Sequence, residues 1–190
     1  MASPKTWLAS EHGTLPLAPV ERSKGVFLRI LYFVTRHRYG KVPTAFRVVY
    51  ARFPGAGLAS VFIVFVLERF LSIEQELRYL IQIATAMRNG CTFCSDLILA
   101  EAIRHKIGTD RFASLLDCEA SDRFSEREKA ALAYAAAVAR DLGVPDSIFS
   151  RLKSNFSERE ITEIVWICAV ERYFNTMAMP LRIGSDRLAS

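Results

Sequence analysis

Helix-start signals are the feature of this sequence that most restricts its fold. The pentapeptide Phe-Ser-Glu-Arg-Glu occurs twice, at residues 124–128 and 156–160. In each copy the serine side chain can accept a hydrogen bond from a backbone N–H, while the glutamate three residues later reaches back to the N–H of the serine. A related Ser-x-x-Gln box stands at residues 72–75. These patterns predict capped helix starts at all three places.

Apolar residues follow each predicted start at helical spacing. The sets are Leu77, Leu80, Ile81 and Ala84; Ala131, Leu132, Ala135 and Val138; and Ile161, Ile164, Val165 and Cys168. Spacings of three and four residues place each set on one helix face that can be buried. Further helices are predicted at 24–38, at 44–53 and through the apolar run after Pro54. Strand patterns are nearly absent, so the sequence predicts an all-α, single-domain helical bundle.

Composition and charge support one globular domain with a basic start. The 190 residues are 51% hydrophobic and 24% charged, which is typical of a folded domain. Residues 1–52 hold nine Lys or Arg against two Glu, whereas the rest of the chain is near neutral. We predict a basic N-terminal extension with a helix at 1–39 and the main helical domain at 40–190. Without a dense basic run or a nucleic-acid motif, the excess charge predicts a solvated surface and no nucleic-acid partner.

The chain shows no sequence signal for a membrane. Its longest apolar run, 56–67, is shorter than the roughly 20 residues that span a bilayer, and Glu68 and Arg69 follow it. Residues 1–13 lack the apolar stretch of a secretory signal, so we expect a cytoplasmic protein. The aromatic helix around 58–70 is expected to pack against another helix, either within the subunit or across an oligomer interface.

Two of the four cysteines form the motif Cys91-Thr-Phe-Cys94, directly after Asn-Gly. Residues three apart share a helix face, so the two sulfurs can approach disulfide distance. Unpaired N–H groups at a helix start favour a thiolate, and a neighbouring thiol can resolve a sulfenic acid. The motif therefore predicts redox chemistry. Cys118 and Cys168 are interpreted as small buried residues.

Two other uses of the cysteine pair remain open on the sequence alone. Together with His105 and Cys118, the pair could bind zinc, although no second closely spaced ligand pair exists. The pair could also be two small core residues at a helix start. The sequence predicts neither a metal nor a cofactor.

The stretch from Leu77 to Cys94 resembles the core of the carboxymuconolactone decarboxylase and alkylhydroperoxidase D family. Residues 124–132, 157–164 and 173–175 are similar to its later helices, and residues 40–54 to its N-terminal lead-in. The resemblance implies an all-α fold of the alkylhydroperoxidase D-like type that forms homo-oligomers. In the peroxidase branch it implies reduction of hydroperoxides, with regeneration by a dithiol reductant. Cys94 would attack the peroxide and Cys91 would resolve the intermediate.

The sequence departs from the family pattern at the proton relay. Tyr79 stands twelve residues before the first cysteine, where the peroxidase branch commonly has glutamate, and Ile98 stands where it has histidine. Tyrosine donates a hydrogen bond but is a poor base, and isoleucine cannot move a proton. Tyr79 is kept as the third candidate site residue. Helical spacing makes Glu76 and Glu101 candidates to replace the relay.

These observations predict a thiol-dependent hydroperoxide reductase with Cys91, Cys94 and Tyr79 at its site. The alternative is a non-catalytic or redox-sensing helical oligomer that keeps the family scaffold. Decarboxylation of a lactone acid ranks last, because the sequence offers no basic residue clearly placed to hold a carboxylate substrate.

Overall fold

The computed structural model describes residues 13–22, 24–140 and 143–189. All regular structure in these ranges is helical, which confirms the predicted all-α fold. The α-helices are α1 Val26–Tyr39, α2 Pro54–Arg69, α3 Gln75–Asn89, α4 Thr92–Arg104, α5 Glu126–Arg140, α6 Asp146–Lys153 and α7 Glu158–Ala178. A π-helical turn spans Phe46–Tyr50, within the stretch predicted as helix at 44–53, and 3₁₀ segments span Phe112–Ala120 and Met179–Leu181.

Both copies of the repeated pentapeptide begin helices as predicted. At the start of α7, the backbone N–H of Glu160 donates to Ser157 Oγ at 3.3 Å, and the N–H of Ser157 donates to the Glu160 carboxylate at 2.8 Å. At the start of α5, Ser125 and Glu128 make the same reciprocal pair at 3.3 and 2.7 Å. Local sequence alone fixes these starts, because each cap satisfies two backbone donors that the helix leaves unpaired.

The capping box predicted at Ser72 is wrong. α3 begins only at Gln75, and the backbone N–H and hydroxyl of Ser72 donate instead to the carboxylate of Glu163 at 2.8 and 3.0 Å. The N–H of Ile73 donates to the same carboxylate at 2.9 Å. Glu163 lies on α7, so the loop before α3 is held by hydrogen bonds to a distant helix rather than by a local capping box.

α3 is the central helix of the bundle. It packs against α4, α5, α7 and the 3₁₀ segment Phe112–Ala120, and residues 77–86 are all buried. Its Leu80 and Ile83 belong to an apolar cluster that includes the cysteine pair. Leu77 and Ile81 belong to a second cluster with α5 and α7. A helix buried on all sides positions the residues that follow it rigidly, which here means the cysteine motif.

α1 and α2 expose much of their apolar surface. The large exposed side chains on these helices and at the end of α2 are Val26, Ile30, Phe33, Val34, Leu58, Val61, Phe62, Val64, Phe65 and Phe70. Of the two expected packings of the aromatic helix around 58–70, the exposure of its phenylalanines argues against packing within the subunit. Packing across an oligomer interface stays a prediction, as does the domain boundary at 39/40. None of the described helices combines the length and hydropathy needed to cross a membrane.

Candidate functional site

The two cysteines of the motif come together at the start of α4. Gly90 ends α3 in the left-handed conformation, with φ of 77°, and turns the chain into α4. Cys91 is the N-cap of α4, and Cys94 lies in its first turn. Both thiols are free, and the two sulfurs lie 2.7 Å apart. The spacing prediction is correct in this respect, because a disulfide between them requires little movement of the backbone.

The two thiols differ in what they face. Cys91 is 1% exposed and Cys94 is 4% exposed. Both belong to the same apolar cluster, but only Cys94 lines a cavity of about 460 Å³, and Cys91 is not part of the cavity wall. A small molecule in the cavity therefore meets Cys94 first.

The cavity has the size and character of a small-molecule site. Its volume falls in the range of ligand pockets, and its wall is mainly apolar, with Phe46, Val49, Phe93, Leu97, Ile98 and Phe174 among the contributors. Val34, Val61, Val64 and Phe65 also line it and are 40 to 49% exposed, so they mark the end that reaches solvent. The cavity thus gives a buried thiol a route to the surface.

The predicted thiolate at the helix start is wrong for Cys94. Burial raises the pKa of the Cys94 thiol well above its ordinary value, and the hydrogen bond with Cys91 and the nearby Glu171 carboxyl act in the same direction. The helix-start N–H that would favour a thiolate, that of Cys94 itself, donates to Cys91 Sγ at 3.4 Å. Cys94 therefore needs a neighbouring base to ionise at neutral pH.

Glu171 is the carboxyl group that reaches this thiol. It is 1% exposed, lines the cavity from α7, and lies within hydrogen-bonding reach of Cys94. Asn175 Nδ2 donates to Glu171 Oε1 at 2.7 Å, and Asn89 Nδ2 donates to Asn175 Oδ1 at 2.6 Å. Burial raises the pKa of Glu171 to about 7, against hydrogen bonds that lower it. Near neutral pH this group can both take up and release a proton.

Comparison with known proteins identifies the family. A profile described as the carboxymuconolactone decarboxylase family matches residues 71–137, which contain α3, the cysteine motif, α4 and most of α5. The uncharacterized protein YdfG of Bacillus subtilis is 30% identical over 98 residues, which are 50% of this chain and 67% of YdfG. This chain belongs to the carboxymuconolactone decarboxylase and alkylhydroperoxidase D-like family.

Solved structures share the family fold at low sequence identity. The debrominase Bmp8, in complex with 2,3,4-tribromopyrrole, has a TM-score of 0.81 at 20% identity, covering 94% of this chain and 96% of its own. An uncharacterized peroxidase-related protein from Ralstonia eutropha JMP134, an alkylhydroperoxidase AhpD core, has a TM-score of 0.70 at 21% identity, covering 85% of this chain and 87% of its own. At these identities the likeness establishes the fold.

Tyr79, which stands at the position of the relay glutamate in the family resemblance, lines the cavity. It is 4% exposed, and burial raises the pKa of its phenol above the ordinary value of 10.0, against the effect of the neighbouring Arg78. The phenol therefore keeps its proton at neutral pH. Tyr79 can donate a hydrogen bond into the cavity but cannot act there as a base. Ile98 lies on the same wall and supplies only apolar surface.

Each of the two glutamates selected by spacing is engaged by arginine. The Glu76 side chain is 46% exposed, pairs with Arg111 and lies outside the cavity wall. Glu101 lines the cavity but is held by Arg38 and by the hydroxyl of Tyr39. Burial raises the pKa of Glu101, but these hydrogen bonds outweigh burial and lower it overall, so the carboxylate stays ionised.

Sequence reasoning missed Glu171 and Asn175, although a signal was present. The buried face predicted for α7 at Ile161, Ile164 and Cys168 continues, at spacings of three and four, to positions 171 and 175. A carboxyl and an amide on a face that is otherwise apolar are unusual and indicate a functional site. Extending the periodic pattern by two turns would have found both.

The zinc alternative lacks its ligand set. No three His, Cys, Asp or Glu side chains within 13–22, 24–140 and 143–189 are grouped so as to hold a metal ion. His105 is the C-cap of α4 and lies against Gln75 and Tyr79, outside the cavity wall. Cys118 and Cys168 are 3% and 1% exposed, as their interpretation as small buried residues predicts.

The raised pKa of Glu171 predicts a pH-dependent stability. Because the folded-state pKa of about 7 lies above the ordinary 4.5, the folded chain holds this proton more tightly than the unfolded chain. The contribution of protonated Glu171 to the stability of the folded chain is complete below about pH 4.5 and is lost as pH rises through about 7. Relative to wild type, Glu171→Gln should gain roughly 2 to 3 kcal/mol of unfolding free energy between about pH 5 and pH 8. Urea unfolding of both proteins at pH 5 and pH 8 measures this gain. The prediction is contradicted if the free-energy difference between variant and wild type is the same at the two pH values.

Proposed function

We propose that this protein is a thiol-dependent hydroperoxide reductase in which Cys94 attacks the peroxide and Cys91 resolves the intermediate. The observation that carries the proposal is the asymmetry of the pair. Cys94 lines the cavity, and the sulfur of Cys91 lies 2.7 Å from the sulfur of Cys94 but outside the cavity wall. The peroxidase-related neighbour from Ralstonia eutropha supports a reaction of this class.

The first step transfers one oxygen atom. The Cys94 thiolate attacks the outer oxygen of the hydroperoxide, the O–O bond breaks, and the products are a Cys94 sulfenic acid and an alcohol. Cys91 then attacks the sulfenic sulfur, which releases water and forms the Cys91–Cys94 disulfide. A dithiol reductant returns both cysteines to thiols and is itself oxidised to a disulfide. The overall reaction consumes one hydroperoxide and one dithiol per cycle.

Glu171 supplies the proton transfer that the raised pKa of Cys94 makes necessary. In its ionised form Glu171 accepts the thiol proton of Cys94 and so generates the nucleophile. The protonated carboxyl can then return that proton to the alkoxide that leaves. Asn175 orients the carboxyl by donating to Oε1. Tyr79 complements this arrangement as a hydrogen-bond donor from the opposite helix, α3.

Formation of the internal disulfide tests the proposal directly. One equivalent of cumene hydroperoxide should convert the reduced protein to a form lighter by two hydrogens, with Cys91 and Cys94 joined in the peptide map. With excess dithiothreitol, hydroperoxide should be consumed over many cycles. Slow oxidation without turnover would instead favour the alternative, a redox-sensing or non-catalytic oligomer.

Reductive debromination is a second candidate, favoured by the likeness of the fold to Bmp8. One fold can carry several chemistries, so the likeness does not by itself assign the reaction. The two reactions differ in the bond that is cleaved. Bromide release from 2,3,4-tribromopyrrole in the presence of dithiothreitol would support it, and the hydroperoxide assay run beside it decides between the two.

We also propose that a second copy of this chain covers those exposed side chains of α1 and α2 that lie outside the cavity wall, among them Phe33 and Phe62. Phe33 is 74% exposed and Phe62 66%, and clustered aromatic side chains of this kind are enriched at subunit interfaces. Their replacement in Phe33→Ser/Phe62→Ser should shift the sedimenting species to the monomer mass. As a control, Trp166→Ser on α7 should leave the mass unchanged. A wild-type protein that sediments as a monomer would contradict this proposal.

A further inference from the structure

Arg78 is a buried cation on the wall of the cavity. It lies on α3 beside Tyr79, is 5% exposed, and lines the same cavity as Cys94. Its Nη1 donates to the carbonyl oxygen of Leu67 at 2.6 Å, and its guanidinium carbon lies 4.8 Å from the centre of the Tyr79 ring. A carbonyl and an aromatic face hold the side chain in place, but neither carries a full negative charge.

No carboxylate neutralises Arg78 within the part of the chain that the structure describes. The carboxyl groups on the cavity wall are those of Glu68, Glu101 and Glu171. Glu101 pairs with Arg38, Glu171 is bonded by Asn175, and Glu68 forms no ion pair with Arg78. In addition, Nε of Arg78 is buried without a hydrogen-bond partner.

A buried guanidinium without a counter-charge is costly unless an anion joins it. The cost would be offset by a ligand that brings its own negative charge into the cavity. Guanidinium groups match carboxylates well, because both are planar and form paired hydrogen bonds. The rest of the wall is mainly apolar and matches a hydrocarbon chain or ring. The wall therefore fits a molecule that is apolar along its length and anionic at one point.

We propose that Arg78 binds the anionic group of the substrate, so that the site takes apolar hydroperoxides bearing one carboxylate, the chemistry of fatty-acid hydroperoxides. The identity of the reacting group rests on the proposed function, whereas the anion subsite does not depend on turnover. From the sequence alone, no basic residue was clearly placed to hold a carboxylate, but the structure places Arg78 on the cavity wall. Arg78 is that residue, and its role is specificity rather than the chemical step.

Binding of a matched pair of unreactive probes tests the subsite. Decanoate and 1-decanol share an apolar chain and differ in charge, and their affinities for the reduced wild-type protein can be measured by calorimetry. Decanoate should bind at least about 10-fold more tightly, as a charged hydrogen bond predicts. Arg78→Met should lose this preference while keeping its affinity for 1-decanol. Arg69→Met, which removes an exposed charge outside the cavity wall, should keep the preference.

A second variant locates the bound probe and remains informative if Arg78→Met fails to fold. Val64 lines the mouth of the cavity and is 40% exposed, so a larger side chain there narrows the entrance with little effect on the core. Val64→Trp should weaken the binding of both probes. Equal affinity of wild type for decanoate and 1-decanol would overturn the subsite. A preference for decanoate that remains in Arg78→Met, or probe affinities that are unchanged in Val64→Trp, would overturn it as well.

Turnover separates failure of the subsite from failure of the proposed function. Wild type should reduce linoleic acid hydroperoxide with a kcat/KM at least about 10-fold above that for its methyl ester. Arg78→Met should remove the difference, chiefly by raising KM for the acid. If neither substrate turns over but decanoate is still preferred, the proposed reaction fails and the anion subsite stands. If both turn over equally and neither probe is preferred, the reaction stands and the subsite fails.

Discussion

Cys94→Ser should abolish dithiothreitol-dependent hydroperoxide turnover, lowering kcat/KM by at least about 10³-fold. Cys94 is the sulfur that lines the cavity, and a serine hydroxyl at the same place is a far weaker nucleophile toward peroxide oxygen. Serine is close to cysteine in size, so the core around α4 should keep its packing. Peroxide consumption by the purified variant measures the effect, and an unchanged thermal midpoint shows that the fold is retained.

Two companion variants make this result specific. Without dithiothreitol, Cys91→Ser should consume one equivalent of hydroperoxide and keep Cys94 as a sulfenic acid that dimedone traps, whereas wild type should end as the internal disulfide. Cys118→Ala changes a buried cysteine that is not on the cavity wall and should leave turnover intact. Turnover by Cys94→Ser at a rate near wild type would refute the assignment of the nucleophile. If the single equivalent were consumed by Cys94→Ser rather than by Cys91→Ser, the two roles would have to be exchanged.

Glu171→Gln should lower the rate at neutral pH by about 10²-fold. Glutamine keeps the size of the side chain and a hydrogen bond to Asn175, but it cannot accept the proton of the Cys94 thiol. The thiol, whose pKa burial raises, then stays protonated in most molecules. A rapid-mixing measurement of disulfide formation after a pulse of hydroperoxide isolates this step from regeneration by the reductant.

The pH profile distinguishes proton transfer from a merely structural role of Glu171. With a pKa of about 7, Glu171 becomes an active base as pH rises, so the wild-type rate should increase through about pH 7. Glu171→Gln should lack that step and gain activity only at alkaline pH, where the thiol ionises without help. The exposed Glu158→Gln on the same helix should keep the wild-type profile. A rate that falls at all pH values with an unchanged profile would assign Glu171 to packing alone.

Features that depend on neighbouring residues along the chain were predictable. The caps at Ser125 and Ser157 form because donor and acceptor lie three residues apart, whatever the helix later packs against. The approach of Cys91 and Cys94 follows in the same way from their spacing at the start of α4. The box at Ser72 has equally good local chemistry, yet Glu163 of α7 takes its hydrogen bonds. A distant carboxylate outcompeted the local partner.

The ionisation of the site was also beyond prediction from local sequence. A helix start predicts a thiolate, but the fold buries Cys94 and directs its own N–H to Cys91. Glu76 and Glu101 have suitable spacing for a relay, but Glu76 lies outside the cavity wall in an ion pair with Arg111, and Glu101 on the wall is paired with Arg38. Desolvation and pairing depend on which helices meet, and spacing along one helix carries no such information.

The sequence by itself determined the helical class, two capped starts and the cysteine pair, since each is encoded in residues within a few turns of one another. The family resemblance followed from the order of several such segments along the chain. Only the tertiary structure decided which thiol faces the cavity and that Glu171 of α7 lies against it. It also placed Arg78 of α3 on the same wall without a counter-charge. The physical reason is that burial and electrostatic pairing are properties of contacts between helices, and those contacts join residues far apart in the chain, such as Arg78 and Glu171 on one cavity wall.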